Sequence, residues 1–221
     1  AVTNKSTAGR GSNGKVELTG IKKLRELILE LAVRGKLVEQ DPDDESVKLL
    51  FNKIESEKCA QLEAKTIRKP KKLPSIERAE QPFSIPNNWR YCRLNDIGTW
   101  GSGATPKRGN LHYYGGKIPW FKSGELYKDF INRSEETITD LAVQETSVRM
   151  NQPGDVLIAM YGATIGKASI LEVAGTTNQA VCACTPWRGI SNRFLLLLLK
   201  TYRARFTAMG AGGAQPNISR D

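Results

Sequence analysis

Histidine is nearly absent from this 221-residue chain, cysteine is sparse, and no apolar run is long; each shortage closes off a class of function. The sole histidine, His112, has no carboxylate at a useful spacing and stands beside Tyr113 and Tyr114, so it reads as a packing or hydrogen-bonding group rather than a general base. The four cysteines, Cys59, Cys92, Cys182 and Cys184, show no CxxC spacing and no histidine partner. A zinc site is therefore not expected, and reduced thiols are. The longest apolar run, Phe194 to Leu199, is far short of the ~18 residues of a membrane span and is flanked by Arg193 and Lys200. These features point to a cytoplasmic protein with no membrane partner.

Catalytic signatures are missing too. There is no GxSxG and no HExxH, and the run Gly101-Ser102-Gly103-Ala104-Thr105-Pro106 breaks a dinucleotide fingerprint at its last glycine. Gly162 and Gly166-Lys167 imitate a phosphate-cradling loop, but only three residues separate the glycines and Ala168 replaces the magnesium-binding hydroxyl. No Asn/Asp-Pro-Pro-aromatic loop is available to grip a flipped adenine. Pro153-Gly154-Asp155 lacks the acidic-x-Lys partner of a nuclease metal site. The chain reads as non-catalytic, with no cofactor of its own.

What the chain has is positive charge. Lysine and arginine outnumber aspartate and glutamate by 33 to 23, a net +10 with a pI near 9.5, which favours a polyanionic partner, nucleic acid before membrane. The texture divides the chain into four parts. Residues 1–18, polar and glycine-rich, are expected to form a disordered arm. Residues 19–66 form a helical spacer or docking segment: Leu24, Leu27, Ile28 and Leu31 make an apolar stripe ending at Gly35, and Val47, Leu50, Phe51 and Ile54 make a second. Residues 67–88 carry Pro70, Pro74, Pro82 and Pro86 among lysines and read as an extended linker.

Residues 89–221 alternate short apolar runs with turns, which predicts strands over 91–97, 117–121, 137–141, 155–160, 168–173 and 180–184. A final helix is expected from Ser191, its N-cap, through Phe194 to Met209. The fold class is α+β with α/β-like features. Its β-rich domain is preceded by a helical segment and followed by a C-terminal helix. The polar loops supply candidate nucleic-acid contacts. Lys107 and Arg108 lie in the flexible Ser102–Asn110 stretch, Tyr113 and Lys117 follow, and then come Lys122, Lys167, Asn178 and Gln179. Cations reach phosphates or guanine, and side-chain amides suit adenine.

Several motifs carry a family resemblance. In order they are Trp89 to Ile97, SGATPKRGNLHYYGGKIPWFKSGEL (102–126), Ile138-Thr139, PGDVLIAMYGATIGKASIL (153–171), TTNQA (176–180), GGAQPNIS (212–219) and, upstream, LRELILELAVRGKLVEQDPDDE (24–45). Together they resemble the specificity subunit of Type I restriction-modification enzymes, as an N-terminal half with one target-recognition domain. The resemblance implies a subunit that reads one half of a split DNA target and positions methylation subunits and, through them, a restriction subunit. S-adenosylmethionine, ATP and magnesium are then expected on those partners. The stripe Leu24, Leu27, Ile28 and Leu31 would pack on the spacer or on a methylation subunit. With one recognition domain, the chain is expected to be either a fragment or a half-length subunit that forms a homodimer. The alternative is a non-enzymatic module that binds protein or RNA through the same domain.

Overall fold

The computed structural model describes residues 19–70 and 73–210. The expected arm over 1–18 and the motif at 212–219 lie outside the described residues. The first helix, α1, spans Thr19–Val33, and the chain leaves it through Gly35 at φ +66°, where the Lys36 N–H bonds the Leu31 carbonyl at 2.9 Å. This is the left-handed exit that favours glycine. A Cβ at Gly35 would lie 2.8 Å from Pro86 and 3.0 Å from Trp89, so the helix end sits directly on the start of the β-rich region. The second helix, α2, covers Val47–Glu63 and is capped by Ser46, whose side chain accepts from the Lys48 N–H.

A five-stranded sheet has the order β1-β8-β5-β6-β3. Its strands are β1 (Gly98–Ser102), β3 (Phe130–Ile131), β5 (Val156–Ala159), β6 (Ala168–Leu171) and β8 (Val181–Pro186). All neighbours are antiparallel except β3 and β6. A three-stranded sheet, β4-β2-β7, is built from β2 (Tyr114–Phe121), β4 (Glu136–Ile138) and β7 (Thr176–Thr177).

The centre of the molecule is β5, and its continuous apolar run has a simple cause. Val156 and Ile158 face one cluster with Leu195, Leu196 and Leu199, while Leu157 and Ala159 face another with Phe121, Leu126 and Leu171. Alternate strand residues point to opposite faces, so a strand covered on both sides must be apolar throughout. Burying Leu157 alone stabilises the fold by roughly 1.5–3 kcal/mol. The helix behind the first cluster is α4 (Asn192–Thr201), whose N-cap Ser191 accepts from the Phe194 N–H at 3.2 Å. Helix α1 packs against α4.

The structure departs from the sequence expectations at three elements. Residues 91–97 are not a strand: the Asp96 carboxylate accepts from the Arg93 N–H at 3.0 Å, closing a 3-10 turn over Leu94–Asp96, and β1 starts at Gly98. The strand expected over 137–141 ends at Ile138. Thr139 there caps a short helix, α3 (Asp140–Glu145), because Thr-Asp offers both an acceptor for the Ala142 N–H and an acidic first turn. The final helix is broken at Tyr202 into α4 and α5 (Arg203–Gly210). The break sets Arg203 against the 162–166 loop, where a Cβ on Gly166 would meet the Arg203 side chain at 2.7 Å.

Candidate nucleic-acid interface

Strand direction decides which loops can act together. The registers Ser102↔Cys182, Ala159↔Val181 and Ile158↔Ala168 place the ends of β1 and β5 and the starts of β8 and β6 at one edge of the five-stranded sheet. Three loops leave from that edge: 103–110, 160–167 and 178–180. A fourth, around Lys128 and Asp129, arrives with β3. The Ser169 hydroxyl bonds the Lys128 carbonyl at 2.6 Å and the Ile170 N–H bonds the Asp129 carbonyl at 2.7 Å.

The loops are tied to each other by backbone bonds. The Gly103 N–H reaches the Val181 carbonyl at 2.9 Å, the Ala104 N–H reaches the Thr177 carbonyl at 3.0 Å, and the Asn178 N–H reaches the Phe121 carbonyl at 2.9 Å. A Cβ on Gly103 would lie 2.2 Å from the Thr177 carbonyl oxygen, so only glycine permits this approach. The Thr105 hydroxyl bonds the Gln179 side chain. Gln179 is exposed, whereas the Asn178 Oδ1 is buried without a hydrogen-bond partner. Of the two amides, Gln179 is the one presented outward.

Arg108 lies at the rim, with its guanidinium carbon 4.7 Å from the ring centres of both Tyr114 and Trp120. Its Nη1 and Nη2 both donate to Glu136, the second at 3.3 Å. Lys122 donates to Glu135 at 2.7 Å and to Glu136 at 3.1 Å. Arg108 first, then Lys122, holds the Glu136 carboxyl below its ordinary range; in return Glu136 raises Arg108, and Glu135, then Glu136, raises Lys122. Two cations and two carboxylates thus form one compact, formally neutral group. Beneath it the buried Glu125 carboxylate accepts from the backbone N–H groups of Lys122 and Glu135, each at 2.7 Å.

The remaining cations are differently placed. Lys107 and Lys167 make no ion pair among the described residues, and both sit on loops of the shared edge. Lys167 follows a turn in which Gly162 and Gly166 take φ +61° and +72°, and its N–H bonds the Thr164 carbonyl at 2.9 Å. Lys117 lies in a bulge of β2, where Tyr114 and Ile118 both oppose Ile138. That is about 13 Å back along the strand from Phe121, at roughly 3.3 Å per residue. Tyr113 precedes β2 and adjoins the 103–110 loop, its N–H bonding the Asn110 carbonyl at 3.2 Å, and its hydroxyl donates to Glu145 of α3 at 3.0 Å, a bond that raises its pKa. The edge therefore gathers Lys107, Arg108, Lys122, Lys167, Asn178 and Gln179, with Tyr113 adjoining the 103–110 loop and Lys117 set back in the β2 bulge.

The apolar stripe of α1 is open. Leu24, Leu27 and Ile28 are 55%, 50% and 42% exposed, and Leu31 is half-buried. Sequence reasoning missed Glu135 and Glu136, whose partnership with Lys122 depends on the pairing of Trp120 with Glu136. It also missed Tyr127, 70% exposed beside Lys128, whose ammonium lies 5.7 Å from its ring centre. Among the described residues no group of His, Cys, Asp or Glu could hold a metal ion, and no helix is long and apolar enough to cross a membrane.

With this geometry in view, the comparisons fall into one family. The model for the Type I restriction modification DNA specificity domain matches residues 86–221, more than half of the chain. The chain is 54% identical over 97 residues to the Type I restriction enzyme EcoAI specificity subunit of Escherichia coli, a match covering 44% of this chain and 16% of that protein. It is 52% identical over 99 residues to the EcoEI specificity subunit of Escherichia coli, covering 45% and 17%. To the MjaIX specificity subunit of Methanocaldococcus jannaschii it is 35% identical over 120 residues, covering 53% and 28%. These matches span less than a third of each relative's own length. A chain in a solved structure concerned with complex assembly and conformational transition of the type I R-M system superimposes with TM-score 0.50 at 16% identity, covering 96% of this chain and 51% of that one, a likeness of fold.

Proposed function

The chain belongs to the Type I restriction modification DNA specificity family, and on that footing we propose that it is the sequence-reading part of a Type I restriction-modification system. It binds one half of a split target and does no chemistry itself. Methylation subunits, and through them a restriction subunit, are positioned by it and carry the S-adenosylmethionine, ATP and magnesium. It works in the cytoplasm, where such a system meets DNA.

The observation that carries this reading is the convergence of loops on one sheet edge. Lys107 and Lys167 offer uncompensated charge there, while Gln179 and the Arg108 group offer directed hydrogen-bonding groups. Phosphate contacts position a protein on DNA and base contacts specify the site, and this edge holds both kinds. A membrane-binding surface would need cations but no fixed amide or stacked guanidinium.

The test is duplex binding across a salt series, with the chain alone and with its methylation subunits. The expected outcome is a sequence-dependent affinity whose logarithm falls with log salt by about 0.9 per phosphate contact. Absence of salt-dependent affinity for any duplex, in either setting, would remove this function.

A further inference from the structure

We propose that Arg108 reads the O6/N7 edge of a guanine in the target half-site, with Glu136 as the residue that positions it. The assignment rests on the DNA-reading function above and names what one side chain of that surface recognises.

Three observations separate a base reader from a phosphate clamp at this position. The first is charge. Arg108 and Lys122 are matched by Glu135 and Glu136, so an approaching phosphate would meet two carboxylates along with the two cations. Uncompensated lysines such as Lys107 suit that task better, because phosphate attraction scales with net charge at the contact.

The second is orientation. The guanidinium is held beside two aromatic rings, each 4.7 Å from its carbon, and tied at both terminal nitrogens to one carboxylate. A guanidinium has five N–H donors in a fixed plane, and the carboxylate engages two of them. The Nε side of the fork remains for a second planar partner. Fixing that plane in advance lowers the ordering cost of binding, which matters for a two-point contact in the groove and little for a contact with a diffuse anion.

The third is chemical sense. Arginine donates and never accepts. In the major groove guanine presents two adjacent acceptors, whereas adenine pairs its N7 acceptor with an N6 donor. A rigid, donor-only fork therefore favours guanine. The loop that carries Arg108 is anchored for this purpose: Tyr114 bonds the Pro106 carbonyl at 2.6 Å, Trp120 bonds the Ala104 carbonyl at 3.1 Å, and Thr105 bonds Gln179.

The experiment selects bound duplexes from a randomised pool with the chain in complex with its methylation subunits, then measures the salt dependence on the preferred duplex. Arg108→Ala is expected to lower guanine preference at a single position by roughly ten- to a hundredfold, leaving the other positions and the salt slope unchanged. Arg108→Lys keeps the charge but loses the planar fork, and is expected to lose the same preference. Glu136→Gln, which retains Arg108 but loosens its hold, should weaken it in part. Both follow-up variants keep a polar group in place, so they remain informative if the alanine variant folds poorly. The assignment is overturned if Arg108→Ala weakens all duplexes equally while the slope falls by about one unit, the signature of a phosphate contact. It is equally overturned if no base preference changes. A wild-type complex with salt-dependent but sequence-blind binding sinks the assignment while sparing nonspecific DNA binding, whereas no binding at all sinks the function itself.

Discussion

Asp155 shows how a single residue can serve the fold at an electrostatic cost. It is buried at the entry to β5, and its carboxylate accepts from the Gln152 N–H at 3.1 Å across a turn in which Gly154 takes φ +96°. Burial raises its pKa above the ordinary aspartate value, and the bonds from Gln152 and Thr185 and the charge of Arg149 only partly offset that rise. For an acid whose native pKa is raised, the native state holds the proton more tightly than the unfolded chain. Its contribution to stability is therefore full below the unfolded pKa and is lost as pH rises through the native one. Asp155→Asn keeps an acceptor for Gln152 and removes the titration. Urea midpoints measured across the acid range should show the variant losing this component of the pH dependence, with stability at neutral pH equal to or above wild type. Superimposable pH profiles for the two proteins would refute the assignment.

Elements were legible in the sequence where one local rule governs them, and illegible where two rules compete. The run Val156 to Ala159, the Ser191 cap and the Gly35 exit follow from local residue types and appear where expected. Residues 91–97 carry strand-like apolar content, but the bond from the Arg93 N–H to Asp96 turns the chain first. Thr139-Asp140 ends a strand by starting a helix, and a window scanned for alternation overlooks that cap. The candidate interface shows in the sequence as a set of polar, cation-bearing loops. The neutral Arg108–Glu136–Lys122–Glu135 group does not, because it depends on pairing between β2 and β4 rather than on spacing along the chain. Helix α1 supplies the prediction at this scale. Its inner side packs on α4, with Val33 buried, while Leu24, Leu27 and Ile28 remain open. Leu27→Asp should change the unfolding free energy by no more than about 0.5 kcal/mol, as expected of an exposed site. It should also reduce co-purification with the methylation subunits if that stripe is their docking surface. A large loss of stability would mean the stripe is already covered within the chain, and unchanged assembly would mean the subunits dock elsewhere.

The whole molecule carries a net charge of +10, yet that charge is not equivalent from place to place. Exposed cations that already satisfy a carboxylate release few counterions when DNA arrives, whereas unpaired ones on the binding edge release their full share. Salt dependence therefore reports which part of the surface faces the duplex. Lys107 and Lys167 stand on the shared loop edge without ion pairs among the described residues, and Lys117 stands on the β2 bulge, away from it. The paired variant Lys107→Ala/Lys167→Ala is expected to flatten the slope of log affinity against log salt by about 1.8, or ~0.9 for each lost phosphate contact. Lys117→Ala removes the same formal charge per residue and should leave the slope within error of wild type. Long-range steering by net charge would affect all three lysines alike and chiefly the association rate. Equal flattening per residue by Lys117→Ala would thus show that the duplex covers more of β2 than the sheet edge, and would extend the interface over the bulge of that strand.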